Sequence, residues 1–97
     1  MKAFITDYQD FCFVCGRPTN VKHHLIFGFA RRRISDNDNI LLPTCRDCHE
    51  YIHKHSVPAR MSKVLGQVIW ECNYLNQERD IRDARDEFRR RYGKTYL

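Results

Sequence analysis

Two stretches decide the fold of this chain: CFVC at residues 12–15 and CRDCHEYIH at residues 45–53. Each begins with two cysteines separated by two residues, and two such pairs can close a tetrahedral site of four thiolates around zinc. We therefore predict one structural Zn²⁺ bound by Cys12, Cys15, Cys45 and Cys48. Such a site leaves no open position for chemistry, so its binding energy stabilises the fold.

The length of 97 residues predicts a single domain, 1–97, whose small core would benefit from a bound metal. Disulfides are the alternative use of paired cysteines, and they form in oxidising compartments. The N-terminal residues MKAFITDYQDF contain no apolar run long enough for a signal peptide or a membrane span. We therefore expect a cytoplasmic protein whose cysteines are thiolates.

The residues between and after the cysteine pairs alternate between strand and helix signals. VKHHLIF at residues 21–27 predicts a short strand, and residues 40–42 predict a second strand that ends at Pro43. Turn-forming residues 37–39 precede the second strand, and Thr44 is the predicted N-cap of a helix through His53. The order is strand, loop, strand, helix, which predicts an α+β fold.

The C-terminal part, residues 57–97, predicts two further helices. Apolar residues recur at helical spacing in both, in the first as Met61, Val64, Leu65, Val68, Ile69, Cys72 and Leu75, and in the second as Ile81, Ala84, Phe88 and Tyr92. Cys72 lies on the first stripe and is predicted to be a buried core thiol. Gly66 lies off that stripe, where a glycine is expected to weaken the helix.

All five histidines lie in two short stretches, His23-His24 and residues 49–55. His49 and His53 are four residues apart on the predicted helix, so both imidazoles can reach one metal ion. Side chains of neighbouring strand residues point to opposite faces, so one histidine of the doublet can bind a metal while the other faces elsewhere. A lone histidine is usually a surface or core residue, but this combination beside a four-cysteine site favours a metal centre.

The positive charge is concentrated near these histidines. The net charge is +5, and residues 11–34 contain no Asp or Glu. The basic residues of this stretch that we expect to contact phosphates of DNA are Lys22, Arg31, Arg32 and Arg33. A basic run is often only solvated surface, and its place beside a candidate metal site is what favours phosphate contact.

Taken together, the paired cysteines, His23-His24, Asn39 and the His49–His53 pair resemble the HNH (ββα-metal) endonucleases of the zinc-stapled type. The spacing is also similar to the nuclease domains of DNase colicins, and the layout of the whole chain to small phage-borne HNH proteins. The resemblance covers residues 12–55. It implies a small ββα-metal (HNH) core at residues 12–56, with the structural four-cysteine zinc site and two additional C-terminal helices in residues 57–97.

The resemblance also implies roles for individual residues. His24 would be the general base that accepts a proton from the attacking water, and Asn39 would brace its loop and orient His24, or complete the metal shell. The implied ligands of one catalytic divalent ion are His23, His49 and His53. Many members have Asp where this chain has His23. A site of three imidazoles favours transition metals, which leaves Mg²⁺, Mn²⁺, Zn²⁺ and Ni²⁺ open.

The function that the resemblance implies is a metal-dependent endonuclease that hydrolyses phosphodiester bonds in DNA, with double-stranded DNA as the expected partner. It would nick the DNA or cut both strands, in the cytoplasm of a bacterial host or a phage-infected cell. The alternatives are a non-catalytic zinc-dependent DNA-binding module on the same scaffold, an RNA-directed nuclease and a toxin. Because the sequence has no room for a second specificity domain, we expect low intrinsic specificity or a protein partner that directs cleavage.

Overall fold

The computed structural model describes residues 6–28, 30–75 and 81–97. Over these residues the chain forms a two-stranded sheet and four helices, so the predicted α+β class is confirmed. In chain order the elements are β1 (Lys22–His24), α1 (Arg31–Asn37), β2 (Leu41–Pro43), α2 (Arg46–Lys54), α3 (Ser56–Leu75) and α4 (Ile81–Tyr92). No helix in the described ranges has both the length and the apolar character needed to span a bilayer.

The two strands pair in antiparallel register, with His23 opposite Leu42. Because side chains alternate across a strand, His23 is fully buried while its two neighbours in β1 are only half-buried. The strand ends at His24, earlier than the predicted end at residue 27. Leu25 and Ile26 are both fully buried, which consecutive residues of a half-buried strand cannot be, so the chain leaves the ladder there.

Helix α1 lies between the strands, where the sequence predicted only a loop. Its three arginines provide no apolar periodicity, and only Ser35 in it is fully buried. The end of the helix is well defined: the Asp38 N–H donates to the Ile34 carbonyl at 2.9 Å, and Asn39 follows with a φ of 58°. Asparagine tolerates this left-handed conformation, which lets the chain turn from α1 into β2.

Cys45, not the predicted Thr44, is the N-cap of α2. The Cys45 sulfur accepts a hydrogen bond from the Cys48 N–H at 3.5 Å. Thr44 is still bound to the strand region, because its N–H donates to the Val21 carbonyl at 3.2 Å. The helix therefore begins immediately after the sheet ends, with the second cysteine pair in its first turn.

The core lies between the sheet, α3 and α4 and consists of Leu25, Ile26, Ile40, Leu42, Phe88 and Tyr92. The predicted apolar stripe of α3 is only partly buried against it: Met61 is 65% exposed and Val68 is 40% exposed. The prediction that Cys72 is a buried thiol is wrong, because this residue is exposed. The fully buried residues of α3 are mostly polar, namely Ser62, Gly66, Gln67 and Glu71. A search for apolar periodicity cannot find this face, because most of its buried residues are polar. Their hydrogen bonds are what allow them to be buried.

Gly66 lies at the closest approach of α3 to the segment after β1. A Cβ at this position would lie 2.7 Å from Cγ1 of Ile26 and 3.1 Å from Cβ of Leu25. The expectation that Gly66 only weakens the helix was therefore incomplete. The absence of a side chain allows the helix to pack directly on Leu25 and Ile26.

We expect Gly66→Ala to destabilise the protein, although alanine is the better helix former by about 1 kcal/mol. The new methyl group overlaps the fully buried Ile26 side chain, and overpacking of this kind costs about 1–3 kcal/mol. Chemical denaturation would measure the difference, with Asn73→Ala at an exposed position of the same helix as the control. A Gly66→Ala protein more stable than the wild type would contradict the close approach.

Candidate metal centres

The four paired cysteines come together in one group, which we call the cysteine centre. Each sulfur of Cys12, Cys15, Cys45 and Cys48 lies within 4.8 Å of the others, and none of the four is in a disulfide. The Cys15 and Cys45 sulfurs are 3.6 Å apart. A tetrahedral Zn²⁺ with Zn–S bonds of about 2.3 Å requires sulfurs roughly 3.8 Å apart. The group could therefore hold a structural metal such as zinc.

Local backbone bonds shape the first half of the cysteine centre. The Cys12 N–H donates to the Arg17 carbonyl at 2.7 Å, and the Gly16 N–H donates to the Cys12 carbonyl at 2.9 Å. Gly16 has a φ of 81°, which a residue with a side chain rarely adopts. This tight turn returns the chain so that Cys12 and Cys15 face the start of α2. The Phe13 N–H donates to the Pro43 carbonyl at 2.8 Å and attaches the turn to the end of β2.

The thiol groups in this centre differ in acidity. Although burial raises the pKa of the Cys12 thiol, backbone N–H groups around its sulfur lower it from 9.0 to about 6. At Cys48, burial and hydrogen bonds from the other three cysteines raise the pKa. A divalent cation would supply the positive charge that stabilises four thiolates this close together.

A second group, which we call the histidine centre, consists of His23, His49 and His53. One nitrogen from each ring lies within 4.8 Å of the others. The ring centroids are 5.1 Å apart for His23 and His49, 5.3 Å for His23 and His53, and 4.5 Å for the pair on α2. β1 therefore contributes one imidazole and α2 two, and Phe27 packs against His53 with centroids 4.2 Å apart.

The two nitrogens of His23 have different surroundings. Nε2 lies 2.8 Å from Oγ of Ser62 on α3. Nδ1 is buried and has no hydrogen-bond partner within the described ranges. A buried nitrogen without a partner is costly unless something else occupies its lone pair. The position of the His23 ring beside two further imidazoles fits a divalent cation as that partner.

The surroundings of all three imidazoles of the histidine centre lower their pKa and so favour the neutral form. Burial, followed by the charges of the neighbouring histidines, lowers the pKa of His23 from 6.5 to about 3. Burial is also the main cause that lowers the pKa of His49 and of His53. Neutral imidazoles keep the lone pairs that bind transition metals, so this environment suits a metal at neutral pH.

His24 is separate from the histidine centre, as expected for neighbouring strand residues. Its Nε2 lies 3.1 Å from Oδ1 of Asp36 on α1, and its side chain is 16% exposed. The partner of the His24 ring is thus Asp36 and not Asn39. Asn39 acts on the same loop through its backbone, because its N–H donates to the Asp36 carbonyl at 3.1 Å, while its Oδ1 is buried without a partner in the part of the chain described.

The basic residues predicted to contact DNA differ in their surroundings. Arg32 is exposed, and its charge lowers the pKa of both His49 and His53. Arg33 is also exposed but has no such effect on the centre. Arg31 donates from Nε to the Tyr92 carbonyl at 3.1 Å, and Lys22 donates to the Gln9 carbonyl. Arg32 is therefore the member of the set best placed to meet a ligand at the histidine centre.

Three residues that lie near the histidine centre or beside His24 were not identified from the sequence: Asp36, Ser62 and Lys63. Lys63 places Nζ 4.5 Å from the Phe27 ring centroid, next to His53, and its charge also lowers the His53 pKa. Ser62 and Lys63 belong to α3, outside the motifs, and no spacing rule connects them with the histidines. The one available signal for Asp36 was its position as the first acid after a long acid-free run.

We expect Cys48→Ser to lose the bound zinc and the cooperative unfolding transition. Structural zinc sites of small domains contribute on the order of 10 kcal/mol, more than a core of this size can replace. Elemental analysis and thermal unfolding followed by circular dichroism would measure both effects. Cys72→Ser is the matched control, because Cys72 is exposed and outside the centre, and it should leave both unchanged. A wild-type protein that folds cooperatively without any zinc would contradict the prediction.

Comparison with known proteins gives no match: no protein-family model, no curated protein and no solved structure matches this chain. The resemblance to the HNH endonucleases therefore rests on the sequence motifs. The chemistry available to these residues depends on their geometry. The four thiols and the three imidazoles form two groups, and each group includes residues of α2 or its N-cap.

Proposed function

We propose that this chain is a metal-dependent endonuclease of the HNH (ββα-metal) type that hydrolyses phosphodiester bonds in DNA. The observation that carries the proposal is the histidine centre, in which three imidazoles converge and Nδ1 of His23 lacks a partner in the described ranges. A module that only binds DNA needs the cysteine centre for its fold but has no need of a second cluster of metal ligands.

The arrangement of elements supports the ββα part of the proposal. β1 and β2 form an antiparallel pair, and only two residues, Thr44 and Cys45, separate β2 from α2. The histidine centre lies between the first strand and the helix, with one ligand from β1 and two from α2. Helix α1 occupies the connection between the strands and contributes Asp36.

His24 is the residue that we assign as general base. The Asp36 carboxylate accepts a hydrogen bond from Nε2–H of His24, which leaves the lone pair on Nδ1. That nitrogen takes the proton from the attacking water as its oxygen bonds to phosphorus and the bond to the 3′ oxygen breaks. Because His24 is not a member of the three-imidazole group, a metal does not compete for this lone pair.

The histidine centre would hold the catalytic ion through His23, His49 and His53. When bound, a divalent ion supplies Lewis-acid stabilisation of the charge that builds on the phosphoryl and departing 3′ oxygens. The donor set of three nitrogens favours Zn²⁺, Mn²⁺ or Ni²⁺ over Mg²⁺. Burial lowers the pKa of His23 and of His49, which favours the neutral form that binds a metal.

Cations beside the histidine centre support a polyanionic substrate. Arg32 and Lys63 lie close enough to affect the His53 pKa, one from α1 and one from α3. Neither has a carboxylate within ion-pair distance among the residues the structure describes. Cations on both sides of the centre that lack a carboxylate partner in the described ranges suit the phosphates that flank a scissile bond.

The proposal predicts that zinc-loaded protein nicks supercoiled plasmid when Mn²⁺, Ni²⁺, Zn²⁺ or Mg²⁺ is added, and that a chelator stops the reaction. His24→Ala should retain DNA affinity and lose cleavage by about 10²-fold or more, the usual effect of removing a general base. His55→Ala is the matched control, because His55 stacks on Tyr51 outside the histidine centre and should cleave like the wild type.

Two outcomes would overturn the assignment. If His24→Ala nicks at the wild-type rate, His24 is not the base. If the wild type binds DNA but nicks it with none of the four ions, the chain is a zinc-dependent DNA-binding module.

The position of Arg32 predicts unequal effects within the basic helix. Arg32→Ala should weaken DNA binding and reduce the slope of log affinity against log salt by about 1, because it removes one phosphate contact. Arg33→Ala, on the same helix and equally exposed, should have less than half of this effect. Fluorescence anisotropy with a labelled duplex at several salt concentrations would measure both. Equal slopes for the two variants would mean that the arginines of α1 attract DNA only through their general positive charge, without a specific phosphate contact by Arg32.

A further inference from the structure

Ser62 connects α3 to the histidine centre through two short contacts. Its Oγ lies 2.8 Å from Nε2 of His23 and 2.7 Å from the carbonyl oxygen of Leu25. The serine is only 7% exposed and the histidine is fully buried, so water does not compete for either contact. Ser62 is 39 residues from His23 in the sequence and lies outside every motif that predicted the metal centres.

The number of protons decides the direction of both hydrogen bonds. A serine hydroxyl has one hydrogen to donate, whereas the Leu25 carbonyl can only accept. Ser62 therefore donates to Leu25 and accepts from His23, which requires the hydrogen of the neutral ring to be on Nε2. The opposite assignment would place two buried oxygens 2.7 Å apart with no proton between them.

The tautomer determines which nitrogen of His23 can bind a metal. With the hydrogen on Nε2, the lone pair is on Nδ1, the buried nitrogen without a partner in the described ranges. The rings of His49 and His53 lie within 5.1 and 5.3 Å of the His23 ring centroid. We infer that Ser62 is a positioning residue that holds His23 as the Nε2–H tautomer and directs Nδ1 to a divalent cation shared with the two α2 histidines.

Gly66 provides the space for this contact. It lies one helical turn after Ser62, and a Cβ there would overlap Leu25 and Ile26. Without that side chain, α3 approaches the segment after β1 closely enough for Ser62 to reach both the Leu25 carbonyl and His23. Helix α3 thus directly contacts a predicted ligand of the histidine centre. The inference rests on the metal-binding part of the proposed function and not on DNA cleavage.

The first test reads the tautomer in the wild-type protein and needs no variant. Protein with zinc in the cysteine centre and no added divalent ion is labelled with ¹⁵N at histidine, and the ring nitrogens are observed by long-range ¹H–¹⁵N correlation at neutral pH. We expect His23 to show a protonated Nε2 and an unprotonated Nδ1. A hydrogen on Nδ1 would overturn the proposal.

The second test measures Ni²⁺ binding to the zinc-loaded protein by calorimetry. Ser62→Ala should weaken binding about 10- to 100-fold, the usual effect of removing the partner of a metal-binding histidine. Ser62→Thr, which restores the hydroxyl, should recover most of the affinity. Ser35→Ala is the matched control, because Ser35 is a buried serine that also donates to a carbonyl, that of Ile40, but contacts no histidine. Its affinity for Ni²⁺ should stay within about twofold of the wild type.

The outcomes separate this proposal from the endonuclease proposal. Wild-type affinity in Ser62→Ala would overturn the role of Ser62, even if the protein cleaves DNA. Failure of the wild type to bind Ni²⁺ through its histidines, judged by comparison with His53→Ala, would overturn it as well. Ni²⁺ binding with the expected loss in Ser62→Ala, in a protein that never nicks DNA, would support the inference and overturn only the endonuclease.

Discussion

The hydrogen bond from the Cys48 N–H to the Cys45 sulfur is the interaction on which both candidate centres depend. This hydrogen bond fixes the start of α2, with only two residues between the end of β2 and the helix. The first turn of the helix therefore places Cys48 next to the first cysteine pair. The following turn then presents His49 and His53 to His23 on β1, because residues four apart share a helix face. One helix of nine residues therefore sets the positions of two thiols and two imidazoles. An N-cap of carboxylate or hydroxyl type would have capped the helix equally well but would have contributed no thiolate.

The two centres place opposite demands on their surroundings. The cysteine centre needs a cation to balance up to four thiolates, and the backbone N–H groups of its tight turns already favour the thiolate at Cys12. The histidine centre needs neutral ligands, and burial lowers the pKa of each of them, which favours that form. The charged side chains of α1 and α3 near the histidine centre are mostly positive. Asp36 of α1 is negative, but it bonds to His24 and not to a histidine of the centre. A neutral ligand set with positive surroundings suits a substrate that brings its own negative charge.

Helix α3 links these centres to the C-terminal part of the chain through its polar face. Ser62 contacts His23, and one turn further Gln67 donates to Thr95 and to Glu71, which in turn pairs with Arg85 at 2.9 Å. Each of these buried groups has a partner, so the polar face is tolerated in the interior, and it orients α3 with little freedom to rotate. The apolar stripe of the same helix is left largely exposed at Met61 and partly exposed at Val68.

The sequence by itself determined the α+β class and the four cysteines that meet, because two CxxC pairs fit one tetrahedral site. Helical spacing also grouped His49 with His53, whereas the choice of His23 from the histidine doublet came from the family resemblance. Local signals also placed α3 and α4 correctly. Only the tertiary structure decided the rest: the helix formed by Arg31–Asn37, the partnership of His24 with Asp36, the exposure of Cys72 and the contact of Ser62 with His23. The physical reason is the same in each case. The spacing of residues along a helix does not show whether a polar side chain faces solvent or a buried partner. Its surroundings depend on which distant segment packs against that face of the helix, as Leu25 and Ile26 pack against Gly66.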